Sequence, residues 1–87
     1  MATIEELADA AGRIGQSAKT VQARTSACAE NLKTHSARLA AVVRGSRSGE
    51  DAVRLVTQAE RAVRDSAAQM LALRTTVDRY LQNLRTP

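Results

Sequence analysis

Cysteine and histidine are the side chains with which this sequence could support nucleophilic or metal chemistry, and each occurs once, as Cys28 and His35. One heptad of helix places both on the same face but about 10 Å apart along the axis. That separation is too long for a hydrogen-bonded thiol–imidazole pair, and a metal site needs more ligands than these two. We therefore predict no catalytic site, no metal and no cofactor, and interpret Cys28 as a small core residue.

The glycines of the first half, Gly12 and Gly15, do not form a phosphate-binding loop, because no strand precedes them and their spacing differs from the known motifs. We expect them to weaken the first helix or to admit a close helix neighbour. The sequence therefore predicts that the protein is not an enzyme and has no small-molecule substrate.

The basic residues in the middle of the chain are another candidate site, because arginine can contact phosphates by charge alone. There are no interleaved aromatic residues and no recognisable nucleic-acid-binding motif, so we expect no nucleic acid among the partners. Binding of a nucleic acid or another anionic surface through this basic tip is kept as the alternative function. The arginines that would make the contact are Arg38, Arg44, Arg47 and Arg54.

A polar, glycine-flanked segment at residues 44–49 divides the chain into two nearly equal arms. Thr3 and Glu6 form a capping box at the start of the first arm, and Ser48 with Asp51 is a looser capping pair for the second. Strand signals are absent. We predict an all-α fold and a single antiparallel two-helix hairpin, with helices at 4–44 and 49–84 and a turn at 45–48.

Small and apolar residues recur at alternating spacings of three and four in both arms, as a coiled-coil seam requires. Folding the arms together opposes small residues of the first to larger ones of the second, for example Ile14 to Tyr80. Polar residues at Thr25, His35 and Ser66 interrupt the seam and are predicted to set its register. The predicted seam contains Ile4, Leu7, Ala11, Ile14, Ala18, Val21, Thr25, Cys28, Leu32, His35, Leu39 and Val42, then Ala52, Val56, Ala59, Val63, Ser66, Met70, Leu73, Val77, Tyr80 and Leu84.

The composition predicts that one hairpin cannot bury enough apolar surface by itself. The chain has no Trp and no Phe, much of its hydrophobic fraction is alanine, and small domains are marginal even with larger core residues. Further apolar residues flank the seam, so we expect a homodimer or heterodimer with another helical hairpin, giving a four-helix bundle. The predicted partner interface is Ile14, Val21, Thr25, Leu32, His35, Leu39, Val56, Val63, Met70, Leu73, Val77 and Tyr80.

Four pairs of opposite charges, each four residues apart, are predicted to support the exposed sides of the second helix. The pairs are Glu50–Arg54, Glu60–Arg64, Arg61–Asp65 and Arg74–Asp78. The first residues include acids and lack the basic and apolar regions of a signal peptide, and no apolar run reaches the roughly 20 residues of a membrane span. We expect a cytoplasmic protein, with export without a cleavable signal peptide as the alternative.

Two capped arms of similar length, a glycine-containing turn and an actinobacterial-looking composition resemble the Trp-x-Gly family of type VII secretion, whose members are small helical hairpins. Val43-Arg44-Gly45 stands where that family has its motif, with the glycine kept and the tryptophan replaced. The family's export signal is a tyrosine with an acid four residues later, and here Tyr80 is followed by Leu84. The chain is also similar to hairpin partners of actinobacterial secreted toxins. Both resemblances imply a partner or adaptor that pairs with a helical hairpin.

Overall fold

The structure, a computed structural model that describes residues 1–86, consists of two long helices joined by a short turn. Helix α1 spans Ile4–Val42 and helix α2 spans Arg47–Arg85. No strand occurs in the described residues. The helices lie side by side in a hairpin of 64 × 20 × 13 Å, which confirms the predicted all-α hairpin.

The two helix starts show one correct and one wrong capping prediction. The hydroxyl of Thr3 accepts a hydrogen bond from the Glu6 amide at 3.1 Å and lies 3.4 Å from the Glu6 carboxylate, as a capping residue should. The cap of α2 is Ser46 and not Ser48, because the Ser46 hydroxyl accepts from the Gly49 amide at 3.3 Å. The second helix therefore begins two residues before the predicted boundary.

The turn has the predicted length of four residues but lies two residues earlier, at 43–46, because α1 ends at Val42. The Val43 amide donates to the Leu39 carbonyl at 2.9 Å, and the Ser46 amide donates to the Val43 carbonyl at 2.9 Å. Gly45 has a φ of +87°, a left-handed conformation that glycine adopts without steric penalty. The sequence Val43-Arg44-Gly45 thus forms the turn itself, with the helix ending before it.

Contact between the helices is made by unusually small residues. The buried residues are Ala11, Ala18, Ala29, Ser36, Ala67 and Val77. A Cβ atom built on Gly15 would lie 3.3 Å from Val77 Cγ1, which shows how closely the two backbones approach. Small side chains permit this approach, and they also limit how much apolar area each layer can bury.

The intramolecular seam of α1 differs from the predicted one at every second layer. Ala11 and Ala18 are buried and Thr25, Leu32 and Leu39 are half-buried, as the prediction requires. The alternate layers use the next residue along the chain, namely Ala8, Gly15, Gln22, Ala29, Ser36 and Val43, and the larger residues predicted there are exposed. At four of these six layers (Ala8, Gly15, Ala29 and Ser36) the seam residue is smaller than the predicted one. The predictions that Cys28 fills the core and that His35 lies in the seam are wrong, because both side chains are exposed.

Polar contacts between the helices lie along one side of this seam. The Arg74 guanidinium donates to the Gln22 amide oxygen at 2.6 Å, and Arg64 donates to Glu30 at 3.4 Å. The hydroxyls of Ser36 and Thr57 are 3.4 Å apart. Gln22 and Ser36 are seam residues, so their contacts are partly buried, whereas the Arg64–Glu30 contact is exposed.

Of the four predicted pairs four residues apart, the described chain forms Glu60–Arg64, at 2.8 Å. The hydrogen bond that Arg64 donates to the Glu60 carboxylate raises the pKa of the Arg64 guanidinium above its ordinary value. The negative charges of Glu60 and Glu30 act in the same direction. Arg54 instead pairs with Asp51. Arg74 donates a hydrogen bond to Gln22 of α1 and does not pair with Asp78, its predicted partner.

Two glycine substitutions test the tight turn. A Cβ on Gly49 would overlap the Cβ of Val43 and lie 2.9 Å from both of its Cγ atoms, so Gly49→Ala should lower the free energy of unfolding by about 1–2 kcal/mol. Gly12 has no neighbouring atom within 4 Å of such a Cβ, so Gly12→Ala should raise it by about 0.5–1 kcal/mol. Urea unfolding followed by circular dichroism, at one protein concentration, measures both. Equal effects of the same sign would contradict the turn described here.

Candidate functional site

The candidate site is one broad side of the hairpin, opposite the polar contacts, which we call the apolar face. Residues seven apart on a helix keep nearly the same angular position, so the residues just beside the seam align along each helix. The apolar face consists of Leu7, Ala10, Ile14, Ser17, Val21, Arg24, Cys28, Asn31, His35, Arg38 and Val42 of α1, and Ala52, Leu55, Ala59, Ala62, Ser66, Gln69, Leu73, Thr76, Tyr80 and Asn83 of α2.

Exposed apolar side chains are concentrated on this face. Seven of the ten large apolar residues that the structure leaves exposed belong to it, so their placement follows the fold and is not scattered. The seven are Leu7, Ile14, Val21, Val42, Leu55, Leu73 and Tyr80. Contiguous exposed apolar patches are a mark of interaction surfaces in soluble proteins.

Two shallow grooves between the helices lie on this face, in the half of the hairpin away from the turn. Leu7 and Ile14 of α1 face Val77 and Tyr80 of α2 across the first groove. The second continues toward the turn, where Ile14 and Val21 face Met70 and Leu73, with Arg13 at its edge. The predicted pair Ile14–Tyr80 does oppose across the first groove, as Val21 and Leu73 do across the second, and neither pair lies within a closed core.

The two broad sides of the hairpin differ in charge as well as in hydrophobicity. The apolar face carries Arg24 and Arg38, both on α1, and its α2 residues from Ala52 to Asn83 include no charged side chain. The opposite side, which we call the charged face, carries acids and bases along both helices. Its charged residues are Glu5, Asp9, Lys19, Glu30, Lys33 and Arg44 of α1, and Glu50, Arg54, Arg61, Arg64, Asp78 and Arg85 of α2.

The predicted interface residues divide into three groups by exposure. Ile14, Val21, His35, Leu73 and Tyr80 are exposed on the apolar face. Val77 is buried, and Thr25, Leu32, Leu39, Val56, Val63 and Met70 are half-buried between the two helices. The predicted interface did not include Leu7 and Leu55. Leu7 could have been found from the seven-residue repeat that it begins and that continues through Ile14 and Val21.

The thiol and the imidazole lie one heptad apart and are both open to solvent. Cys28 and His35 are both exposed on the apolar face. Within residues 1–86 no group of three or more His, Cys, Asp or Glu side chains could hold a metal ion. Neither described helix has a segment long and apolar enough to cross a membrane.

The basic tip is partly neutralised by neighbouring acids. Arg54 pairs with Asp51 on its own helix. The Glu50 carboxylate accepts a hydrogen bond from the Gly45 amide at 3.4 Å and lines a shallow groove together with Arg44. Arginines interspersed with acids offer a phosphate less attraction than their number suggests.

No protein-family model, curated protein or solved structure matches this chain. The resemblance to the Trp-x-Gly hairpins and to the partners of secreted toxins therefore stays a prediction.

Heparin chromatography tests the basic tip as an anion site. We expect Arg44→Glu with Arg47→Glu to lower the eluting salt concentration no more than Arg61→Glu with Arg79→Glu, a control pair that is exposed on α2 away from the tip. The reason is that each pair changes the net charge equally and the tip has no preorganised phosphate contact. A clearly larger shift for the tip pair would support the alternative function.

Proposed function

We propose that the protein is a non-enzymatic interaction module that pairs through its apolar face with a second helical hairpin, forming a four-helix bundle. The observation that carries this proposal is the alignment of Leu7, Ile14 and Val21 with Leu73 and Tyr80 on one exposed side. A second hairpin has the shape to cover two helices at once, and four-helix bundles bury such stripes between facing helices.

The energetic support is the contrast between the closed seam and the open face. The seam buries mainly alanine-sized groups, whereas the side chains left in water are leucine, isoleucine, valine and tyrosine. Full burial of a large aliphatic side chain contributes about 1.5–3 kcal/mol, so covering the exposed fractions of these side chains adds apolar burial to that of the seam. Pairing in this way couples folding of the hairpin to binding of its partner.

A role as a partner or adaptor in type VII secretion is a narrower form of this proposal. Its support is the turn sequence Val43-Arg44-Gly45 and the position of Tyr80 near the end of α2. Co-expression with helical hairpins encoded by neighbouring genes tests it. A stable stoichiometric complex that is lost when Leu73 is changed to Gln would favour this role, and failure of every such hairpin to bind would contradict it.

Two leucines of α2 provide a matched test of the apolar face. Leu73 is 38% exposed on the apolar face and Leu71 is 50% exposed on the charged face. We expect wild type and Leu71→Gln to sediment as dimers or larger species at micromolar concentration, and Leu73→Gln to shift to monomer. The reason is that only Leu73 has its side chain removed from water by pairing.

Alkylation of Cys28 gives a second readout in the same samples, because this single thiol lies on the face to be covered. Its reaction with a maleimide should slow several-fold as wild type and Leu71→Gln associate, and stay fast in Leu73→Gln. A fully helical wild-type monomer at micromolar concentration would contradict the proposal. Equal loss of association in both leucine variants would show that the apolar face is not the interface.

A further inference from the structure

We infer that the occupant of the apolar face is a second copy of this chain, docked with the two turns at the same end and α1 of each copy over α2 of the other. This inference rests on the proposed function and adds the identity and the orientation of the partner. Three features carry it: the size of the face, the distribution of its charges and the gradient of side-chain size along it.

The face is large enough for a stable two-fold dimer. The hairpin measures 64 by 20 Å across its broad sides, and a standard protein interface needs about 800 Å² from each partner. A two-fold dimer uses the same surface on both copies, so one apolar face per hairpin is sufficient. The charged face then remains exposed to solvent on both outer sides of the bundle.

The positions of the arginines distinguish the two ways in which a second copy can face the first. Arg24 lies near the middle of α1 (Ile4–Val42), so docking with the turns at opposite ends stacks α1 on α1 and brings Arg24 of both copies together. Docking with the turns together places α1 over the uncharged side of α2. Arg24 then lies near Gln69 and Arg38 near Leu55 of the second copy, where their aliphatic stems can pack.

Side-chain size and polarity along the face favour the same orientation. The half away from the turn carries Leu7, Ile14, Val21, Leu73 and Tyr80, all exposed. The half near the turn also carries Val42 and Leu55, but its other residues are smaller and more polar, among them Cys28, His35 and Ala59. With the turns together, the five large apolar residues of both copies form one cluster, whereas docking with the turns opposed would set them against the smaller and more polar half.

Spin labels near the turn test the orientation. Ala41 is exposed on the outer edge of α1, outside the apolar face, so the variant Cys28→Ser with Ala41→Cys carries one label beside the interface and not within it. With the turns together, the two labels are separated by the width of the bundle, about 20–25 Å for two helix diameters. With the turns opposed, they are roughly 50 Å apart along the axis at 1.5 Å per residue.

We expect pulsed dipolar spectroscopy to give the short distance, and adding Leu73→Gln to abolish it. Circular dichroism of the labelled protein confirms that it is as helical as wild type. A distance near 50 Å would overturn the orientation while leaving pairing of two copies intact. A labelled chain that stays monomeric and poorly helical would show that the apolar face does not bind a second copy. The proposed function would then still allow a different hairpin as the partner.

Discussion

The rest of the structure depends on the close contact of two helices through alanine-sized side chains. Ala18 and Ala29 are almost completely buried, and Gly15 allows Val77 to approach the backbone of α1. Such contact gives a well-defined antiparallel hairpin, but it removes little apolar area from water in each layer. The contact therefore fixes the geometry of the hairpin but contributes little to its free energy of folding.

The two broad sides of the hairpin follow from this constraint. The fully buried layers of the seam hold small side chains, and Leu7, Ile14 and Tyr80 lie beside the seam, where they are exposed on the apolar face. The other side carries the interhelical contacts Arg74–Gln22 and Arg64–Glu30, together with most of the acids. The interhelical polar contacts therefore lie away from the apolar face, which is the surface proposed for pairing. Turns and caps contribute by keeping the helices close from the first layer.

The sequence was sufficient to predict the two helices, the turn and the cap at Thr3, because these depend on local residue types. It was not sufficient to choose between Leu7 and Ala8, or between Ile14 and Gly15, as seam residues, since both choices satisfy a spacing of three and four. The distance between the helices decides that choice, and it favours the smaller residue. For the same reason Cys28 and His35 were wrongly placed in the seam, and the separation of charge onto one face was not recognised. Ser46 capped α2 in place of Ser48 because the turn closes earlier around Gly45 and Gly49.

If the hairpin becomes stable when its apolar face is covered by a second copy, its resistance to urea depends on protein concentration, and unfolding at two concentrations measures that dependence. A hundredfold increase in concentration changes the free energy of a folding-linked dimer by about 2.7 kcal/mol. With a denaturant dependence of roughly 1–3 kcal/mol per M for a small protein, the midpoint should rise by about 1 M or more. A cooperative transition whose midpoint is the same at both concentrations would contradict the account, because the hairpin would then be stable alone.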